Sequence, residues 1–457
     1  MNKLDTLHDL NQRLDAAEGR LALLDQYYAG EQPLSFLAPE ARAALGSRFA
    51  RMSSNLCRLT VSSLAERLRV TGIVRDGQSD RQAWAGWLRN DLDQLAAAAH
   101  REALTLGRSY VIVWADPAGR ARVTVESARQ VTVRRDPATR EVTDAVKRWV
   151  DPAARRAYAV LYQPDQITRY TSTAMVAEGA AIPAQAWEST EVIPNPLGVV
   201  PVVPLVNTDR LLDLDGRSEL ADLLPLVDGL NKSLADLMVA SEYYARPRRW
   251  ATGVELVEEP VLNLDGTPQL DDDGQPVTSL VNPYPEGNRM MINEAPEGKF
   301  GQLPGADLAA YEAGVRIILG QIMAVSALPA HYVGIFSDNP TSADALRAAE
   351  ASLAARAEAR QQTFGRSWEA VARLMLAVET GADPTALDVR ITWADPATRS
   401  IAQEADAVVK LHAAGILPTA VALARLGYTD DEIEQIRSAR RAQALDTVLV
   451  DPKALAS

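Results

Sequence analysis

The chain has 457 residues, 47% hydrophobic and 23% charged, which is enough for roughly two to four units with apolar cores. Its 60 acidic and 47 basic residues give a net charge of −13. That balance disfavours tight binding to nucleic acid, because such affinity comes from neutralising phosphates, but it still allows a duplex to slide past. The single cysteine, Cys57, excludes an intramolecular disulfide, and we expect it to be a small buried apolar residue.

The N-terminal half is predicted to begin with helices and to continue with strands. Leucines at helical spacing run from Leu4 to Leu24 before Gly30, and a second helix ends near Val70. A capping box of Ser79 and Gln82 is predicted to open a third helix, which Gly107 ends. Residues 109–171 alternate β-branched runs with turns, which indicates antiparallel hairpins. The proline-rich residues 175–210 are predicted to be irregular.

The C-terminal half contains the longest helical patterns. An apolar stripe starts at Ser218 and lasts to about residue 244, and a second one covers 306–328. Acidic residues interrupt the first stripe, so we expect no membrane-spanning helix there. Residues 342–378 predict a helix of roughly 55 Å, with a bend at Gly365. The segment "DVRITW" and three short helices complete an α+β, mostly helical chain.

No motif for catalysis or for metal binding is found. Phosphate-loop, dinucleotide and G-x-S-x-G patterns are missing from the sequence, and the four histidines have no partner at metal-ligand spacing. The run "LDDDG" near residue 270 has its glycine too early for a calcium loop, so we interpret it as a solvated hairpin tip. We therefore predict no cofactor, no metal and no enzymatic activity.

The two apolar stripes are too extended for an isolated helix pair to bury. We expect them to pack against neighbours in other copies of the chain, and a heterologous contact that closes on itself makes a ring. Between them, residues 251–300 carry ten acidic residues against Arg289 and Lys299.

In the order and spacing of its segments, the chain resembles the portal proteins of tailed bacteriophages. The resemblance rests on "QYYAGEQPLSF" (26–36), "LCRLTVSSLAERLRVTG" (56–72) and "WLRNDLDQLAAAAHREALTLGRSYVIVW" (87–114), followed by a helix–insertion–helix–loop–helix order. It implies a ring of twelve copies at one capsid vertex, through which DNA enters and leaves.

The resemblance implies an arrangement of wing, stem, clip and crown. The predicted domains are the wing (1–210), the first stem helix (211–250), the clip (251–303), the second stem helix (304–329), the tunnel loop with the long wing helix (330–380), and the crown (381–457).

The candidate site residues follow from the same resemblance. The segment "HYVGIFSDNPTS" has no Lys or Arg that would trap a phosphate, and it corresponds to the tunnel loop; the alternative is an ordinary surface loop. Its predicted DNA-channel residues are Tyr332, Phe336, Ser337, Asp338 and Asn339. Three arginines are candidates for phosphate contact or, more simply, for stabilising a helix C-terminus: Arg246, Arg248 and Arg249. Five clip residues are candidates for docking partners or for solubilising surface: Glu258, Glu259, Asp271, Asp272 and Asp273.

The implied partners are sister subunits, double-stranded DNA, the terminase large subunit, capsid and scaffold proteins and a head-completion adaptor protein, without a membrane. The implied location is the portal vertex of the virion, with the host cytoplasm during assembly. Two other hypotheses stay open on the residues alone: another multimeric virion component, such as a capsid or neck protein, and a helical enzyme with an unfamiliar site.

Overall fold

The computed structural model describes residues 3–33, 35, 53–176, 182–245, 249–253, 257–263, 266–271, 274–281, 297–302, 308–334, 343–397, 401–428 and 430–450. The chain divides into two compact units. The first comprises residues 1–32, 55–224 and 322–457, and the second comprises residues 33–54 and 225–321.

The described residues form both helices and antiparallel strands, which confirms the predicted α+β class. The helices are α1 (Lys3–Ala29), α2 (Leu56–Ala65), α3 (Arg81–Arg89), α4 (Leu92–Leu106), α5 (Leu224–Ala245), α6 (Leu308–Ser326), α7 (Ala343–Thr380), α8 (Ile401–Ala413), α9 (Thr419–Arg425) and α10 (Asp430–Val450). The strands are β1 (Val70–Arg75), β2 (Gln78–Ser79), β3 (Arg108–Ala115), β4 (Ala121–Ser127), β5 (Val131–Arg135), β6 (Val142–Asp151), β7 (Arg156–Tyr162), β8 (Gln166–Ser172), β9 (Trp187–Pro194), β10 (Val202–Val206), β11 (Arg249–Thr252), β12 (Val257–Pro260), β13 (Thr278–Val281), β14 (Lys299–Gln302) and β15 (Val389–Trp393).

One core of the first unit lies between α1 and a five-stranded sheet in the order β5-β6-β7-β8-β9. The predicted leucine stripe of α1 is buried there from Leu7 onward, because Leu7, Leu10 and Leu14 pack on the inward side chains of β6, β7 and β8. Polar contacts fix the register of the helix on the sheet: Arg148 of β6 reaches the carboxylate of Asp15 at 2.5 Å. Burial of one face and hydrogen bonding along its rim hold α1 in place.

A second core of the first unit is aromatic. Trp368 of α7 meets Trp87 of α3 edge to face, with ring centroids 4.9 Å apart, and Phe364 stacks on His100 of α4 at 5.4 Å. The indole Nε1 of Trp368 donates to Nε2 of His100 at 2.7 Å. Bulky side chains predicted for the second half of α7 therefore lock that helix onto α3 and α4.

The second unit contains α5, most of α6 and two small sheets. β11 pairs with β14 and β12 with β13, both antiparallel. Residues 33–54 contribute to this unit: Ser35 donates to the Asp228 carboxylate at 2.9 Å, and the Ser54 amide donates to the Asn231 side chain at 3.0 Å.

The prediction of an irregular segment at 175–210 is wrong in part, because β9 and β10 lie within it. β9 pairs with β8 and β10 pairs with β3. The prolines misled the prediction, since Pro204 lies inside β10. β10 is the edge strand of its sheet, and proline is tolerated at an edge because its missing N–H costs no hydrogen bond there.

Two helix starts also differ from prediction. Helix α3 begins after Asp80, whose carboxylate accepts from the Ala83 amide at 3.0 Å, so the N-cap is Asp80 and not the predicted Ser79. Helix α5 begins at Leu224 and not at Ser218, with residues 219–223 in turns. Pro225 lies in the first turn of the helix. Proline is tolerated there because the amide hydrogens of a first turn have no carbonyl partner within the helix.

Gly365 makes room for a neighbouring strand, and the bend predicted at this position stays a prediction. Helix α7 is continuous over 38 residues, roughly 57 Å at 1.5 Å per residue. A Cβ at Gly365 would lie 3.2 Å from Nε1 of Trp393, so the glycine allows β15 to approach the helix. β15 is the predicted "DVRITW" strand, and it pairs with β1, which the sequence interpretation missed. The predicted burial of Cys57 is confirmed.

Stability is expected to fall in mild acid because of His100. Burial lowers the pKa of its imidazole to about 3, and Nε2, where a second proton would have to bind, already accepts from Trp368. The folded pKa lies below the unfolded value of about 6.5, so the unfolded chain binds the proton more tightly and stability decreases as the pH drops below 6.5. The loss reaches about 2 kcal/mol between pH 6.5 and 5.

Urea unfolding at several pH values measures this slope. His100→Gln keeps an acceptor for the Trp368 indole and removes the titrating group, so it should flatten the slope by that amount. His412→Gln, at an exposed position, serves as the control for the substitution itself. An unaltered slope in His100→Gln would show that His100 does not cause the loss of stability in mild acid.

Candidate channel loop, clip and stem surfaces

The start of the predicted tunnel loop is anchored to the body of the first unit. Ala330–Val333 form a 3-10 turn that ends at Gly334, whose φ of 77° is one that glycine adopts freely. Arg67, at the end of α2, donates to the Tyr332 hydroxyl at 3.1 Å and to Glu350 of α7 at 3.0 Å. Its second terminal nitrogen donates to the Pro396 carbonyl at 2.6 Å.

This anchor is well shielded from solvent. The side chains of Arg67 and Glu350 are only 11% and 12% exposed, and Nε2 of His331 lies 3.4 Å from the same carboxylate. A shielded arginine–carboxylate pair with further hydrogen bonds holds its geometry better than an exposed one. Tyr332 therefore has its hydroxyl engaged within the protein, at the root of the loop.

The other predicted channel residues, Phe336, Ser337, Asp338 and Asn339, lie outside the described residues. Their role stays a prediction. The structure shows how the chain leads into them, through a turn fixed by Arg67.

The arginine cluster is described only at Arg249, the first residue of β11, which pairs with Gln302 of β14. Arg246 and Arg248 lie outside the described residues. Arg249 is thus placed in a strand, beyond the last residue of α5, and its proposed contact with phosphate stays a prediction.

The acidic hairpins of the predicted clip are exposed. Glu258 and Glu259 lie in β12, and both are exposed. The Asp271 carboxylate accepts from the Gln275 amide at 2.8 Å and shapes the turn, while Asp272 and Asp273 lie outside the described residues. Three leucines of the hairpins, Leu262, Leu270 and Leu280, are each more than half exposed. The clip surface combines carboxylates with apolar side chains, a mixture suited to a protein partner.

Helix α6 leaves an apolar surface uncovered. Its mean hydropathy of 1.4 over an 18-residue window is high enough for a membrane span by length and composition, yet only 6% of that window is buried. Ile317 is 67% exposed. The helix also carries an exposed pair of opposite charges, Glu312 and Arg316, 2.9 Å apart.

A buried carboxylate connects the end of α6 to α7. Glu219 is 8% exposed, and its oxygens lie 2.8 Å from Arg360 and 3.4 Å from Arg356. Arg356 also donates to the carbonyls of Val325 and Ser326, at 3.0 and 3.2 Å, so a cation stabilises the C-terminus of α6.

Sequence reasoning missed both the Arg67–Glu350 and the Glu219–Arg360 pairs. Their partners are 283 and 141 residues apart, so no local spacing signals them. Within the described residues no group of three or more His, Cys, Asp or Glu side chains is arranged to hold a metal ion.

Comparison with known proteins identifies the family. Residues 7–445 match the family described as phage portal protein, SPP1 Gp6-like. The portal proteins of Mycobacterium phages L5 and D29 are each 31% identical to this chain, over 396 and 398 residues, covering 83% of this chain and 77% of each relative.

Among solved structures, a chain in the neck of a native gene transfer agent particle, computed with C12 symmetry, is 14% identical with a TM-score of 0.46. The alignment covers 90% of this chain and 98% of that one. A chain from the neck of the empty particle is 12% identical, with a TM-score of 0.46 over 89% and 93% of the two chains.

The family match spans almost the whole sequence, and the two phage relatives exceed 30% identity over more than three quarters of their length. The chain therefore belongs to the phage portal protein family, and its function is that of a portal vertex protein of the virion.

Proposed function

We propose that the chain assembles into a closed ring, of twelve copies, whose central hole conducts double-stranded DNA during packaging and ejection. The observation that carries this proposal is the uncovered apolar surface of α6. Full burial of an exposed isoleucine contributes roughly 1.5–3 kcal/mol, so covering Ile317, which is 67% exposed, and Val325, which is 37% exposed, would stabilise an assembly. Sister copies of α5 and α6 supply that cover.

Lipid is the alternative cover for α6, and the charges of the helix argue against it. Glu312 and Arg316 are both more than 70% exposed and lie within the apolar stretch. Each would have to enter hydrocarbon in a membrane, at a cost of a few kcal/mol per charge. In a ring, the same pair can face an aqueous channel or a polar part of the neighbour.

The channel loop is proposed to let DNA slide. Residues 331–342 contain no Lys or Arg, so they cannot form the strong charge-assisted bonds to phosphate that would hold a strand. The Arg67 anchor supports this role, because it fixes the start of the loop while its own charge is taken up by Glu350, Tyr332 and Pro396.

The clip is proposed to dock the terminase large subunit during packaging and a head-completion adaptor protein afterwards. Its exposed carboxylates, repeated around a ring, would attract basic partners over a distance, and its exposed leucines would supply apolar contact area. Capsid and scaffold proteins are the proposed partners of the rest of the ring, during assembly in the host cytoplasm. We infer that the chain performs no chemistry and that a separate ATP-driven motor supplies the energy.

Ring assembly should depend on Ile317. Because this side chain is exposed in the single copy, Ile317→Glu should leave the fold of the chain intact while placing a charge at the subunit contact. Light scattering after size exclusion should show 49.5 kDa chains in place of a ring of about 594 kDa. Val192→Glu, at an exposed position of β9, is the matched control and should assemble normally. A ring of full mass in Ile317→Glu would contradict the proposed cover.

The anchor of the loop should depend on Arg67. Arg67→Gln removes the shielded ion pair with Glu350, so the free energy of unfolding should fall by about 1–3 kcal/mol. Limited proteolysis should cut within residues 330–342 sooner than in the parent. Arg69→Gln, at a neighbouring exposed position, should leave both measurements unaltered. Equal rates of proteolysis in the two variants would contradict the role of Arg67 as the anchor of the loop.

The charge of the loop should govern DNA movement. Phe336→Lys combined with Asp338→Lys should leave the ring intact and lower the amount of DNA packaged, because the added ammonium groups bind phosphates that must slide past. Packaging efficiency in a reconstituted motor reaction measures the effect, and it should recover as salt is raised. Val192→Lys controls for added charge elsewhere. Normal packaging by the loop variant at low salt would count against the tunnel loop.

A further inference from the structure

A turn between β10 and α5 exposes three leucines. Leu211, Leu212 and Leu214 are 77%, 89% and 43% exposed, which makes residues 208–216 an apolar projection on the first unit. We call this segment the leucine turn. An apolar group of this size on a turn indicates a contact surface.

The leucine turn is held rigidly at both ends. A Cβ at Gly216 would lie 2.0 Å from the carbonyl oxygen of Gly107, so the two backbones touch. The Asn207 amide donates to the Arg217 carbonyl at 2.7 Å across the base of the turn, and the Gly216 amide donates to the Asp213 carbonyl at 3.0 Å. A projection that is already ordered loses little entropy when it binds.

An open cleft lies elsewhere on the same unit, between α7 and β15. Its volume is about 550 Å³, with Gln362 and Gly365 on one wall and Ile391 and Trp393 on the other. Arg366 and Arg390 stand at its rim with side chains 71% and 55% exposed, and both reach the shielded carboxylate of Glu369. The cleft therefore presents an apolar patch of Ile391 and Trp393 below two exposed arginines, with Glu358 and Glu369 also in its lining.

The leucine turn and the cleft lie on opposite sides of α7. Arg360 points to the turn, because it donates to the Thr208 carbonyl at 3.3 Å. Glu358 and Gln362 line the cleft, and each is two residues from Arg360, about 200° around a helix with 3.6 residues per turn. One copy thus carries a projection on one side of α7 and a recess on the other, as a head-to-tail contact requires.

Side chains of opposite charge are exposed on the two surfaces. Residues 208–216 contain Asp209, Asp213 and Asp215 against the single Arg210, and the Asp215 side chain is 77% exposed although Arg108 lies 3.6 Å away. The cleft offers Arg366 and Arg390, and Glu369, the carboxylate that both reach, is only 10% exposed. An acidic group that approaches the cleft beside a leucine therefore meets the arginines before it meets Glu369.

We propose that the leucine turn of one copy inserts into the α7–β15 cleft of the next copy around the ring. This contact rests on the proposed ring and adds the residues that join neighbouring copies at the level of α7. Because the projection and the recess are different surfaces, the contact is heterologous and can continue from copy to copy until the ring closes.

Cysteine cross-linking tests the contact, and the chain suits the method because its single cysteine, Cys57, is buried. The double variant L212C with Q362C is oxidised, or treated with a short bis-maleimide, and resolved on a denaturing gel without reductant. A second pair, L211C with R390C, covers a different alignment of the two surfaces. We expect a ladder of covalent multimers from at least one pair, lost on reduction in the oxidised sample.

Each single variant is a control and should stay monomeric on the gel, since the contact joins different residues. A covalent dimer from L212C alone, or a product of either double variant that stops at the dimer, would indicate a symmetric contact and overturn the proposal. Rings of full mass in solution with no ladder from either pair would overturn the leucine-turn contact while leaving the ring intact. Chains that stay at 49.5 kDa in solution would overturn both the ring and the contact.

Discussion

The uncovered surface of α6 is the constraint on which the rest of this structure depends. Exposing apolar area to water costs roughly 25 cal/mol per Å². Only 6% of the apolar window of α6 is buried, so the single chain bears this cost along the helix. Only partners outside the single chain can relieve the penalty. In the proposed ring those partners are copies of the same chain, and covering this surface is the physical reason for the ring to form.

Helix α7 organises the first unit around this assembly. Its aromatic face, with Phe364 and Trp368, is locked into the core by Trp87 and His100. Arg360 binds the base of the leucine turn, while Glu350, near the start of the helix, holds the root of the channel loop through Arg67. One continuous helix therefore holds the aromatic core, the start of the proposed channel loop and the base of the leucine turn.

Periodicity in the sequence was sufficient to predict the helices, most of the strands and the β island between α5 and α6. It failed where the deciding contact is distant in the chain. β1 and β15 pair across more than 300 residues, and the prolines of β10 hid an edge strand whose partner lies in β3. The Arg67 and Glu219 pairs could not be predicted for the same reason. The lack of Lys and Arg in the proposed channel loop could be taken directly from the sequence, because it depends on composition and not on contacts.

Arg356 joins three parts of the molecule that are far apart in sequence. It holds the last carbonyls of α6, it lies beside Glu219 ahead of α5, and it is itself a residue of α7. The final turn of α6 cannot slide or rotate without straining these bonds. A force applied to the last turn of α6 is therefore transmitted directly to α7 and to the segment around Glu219 ahead of α5.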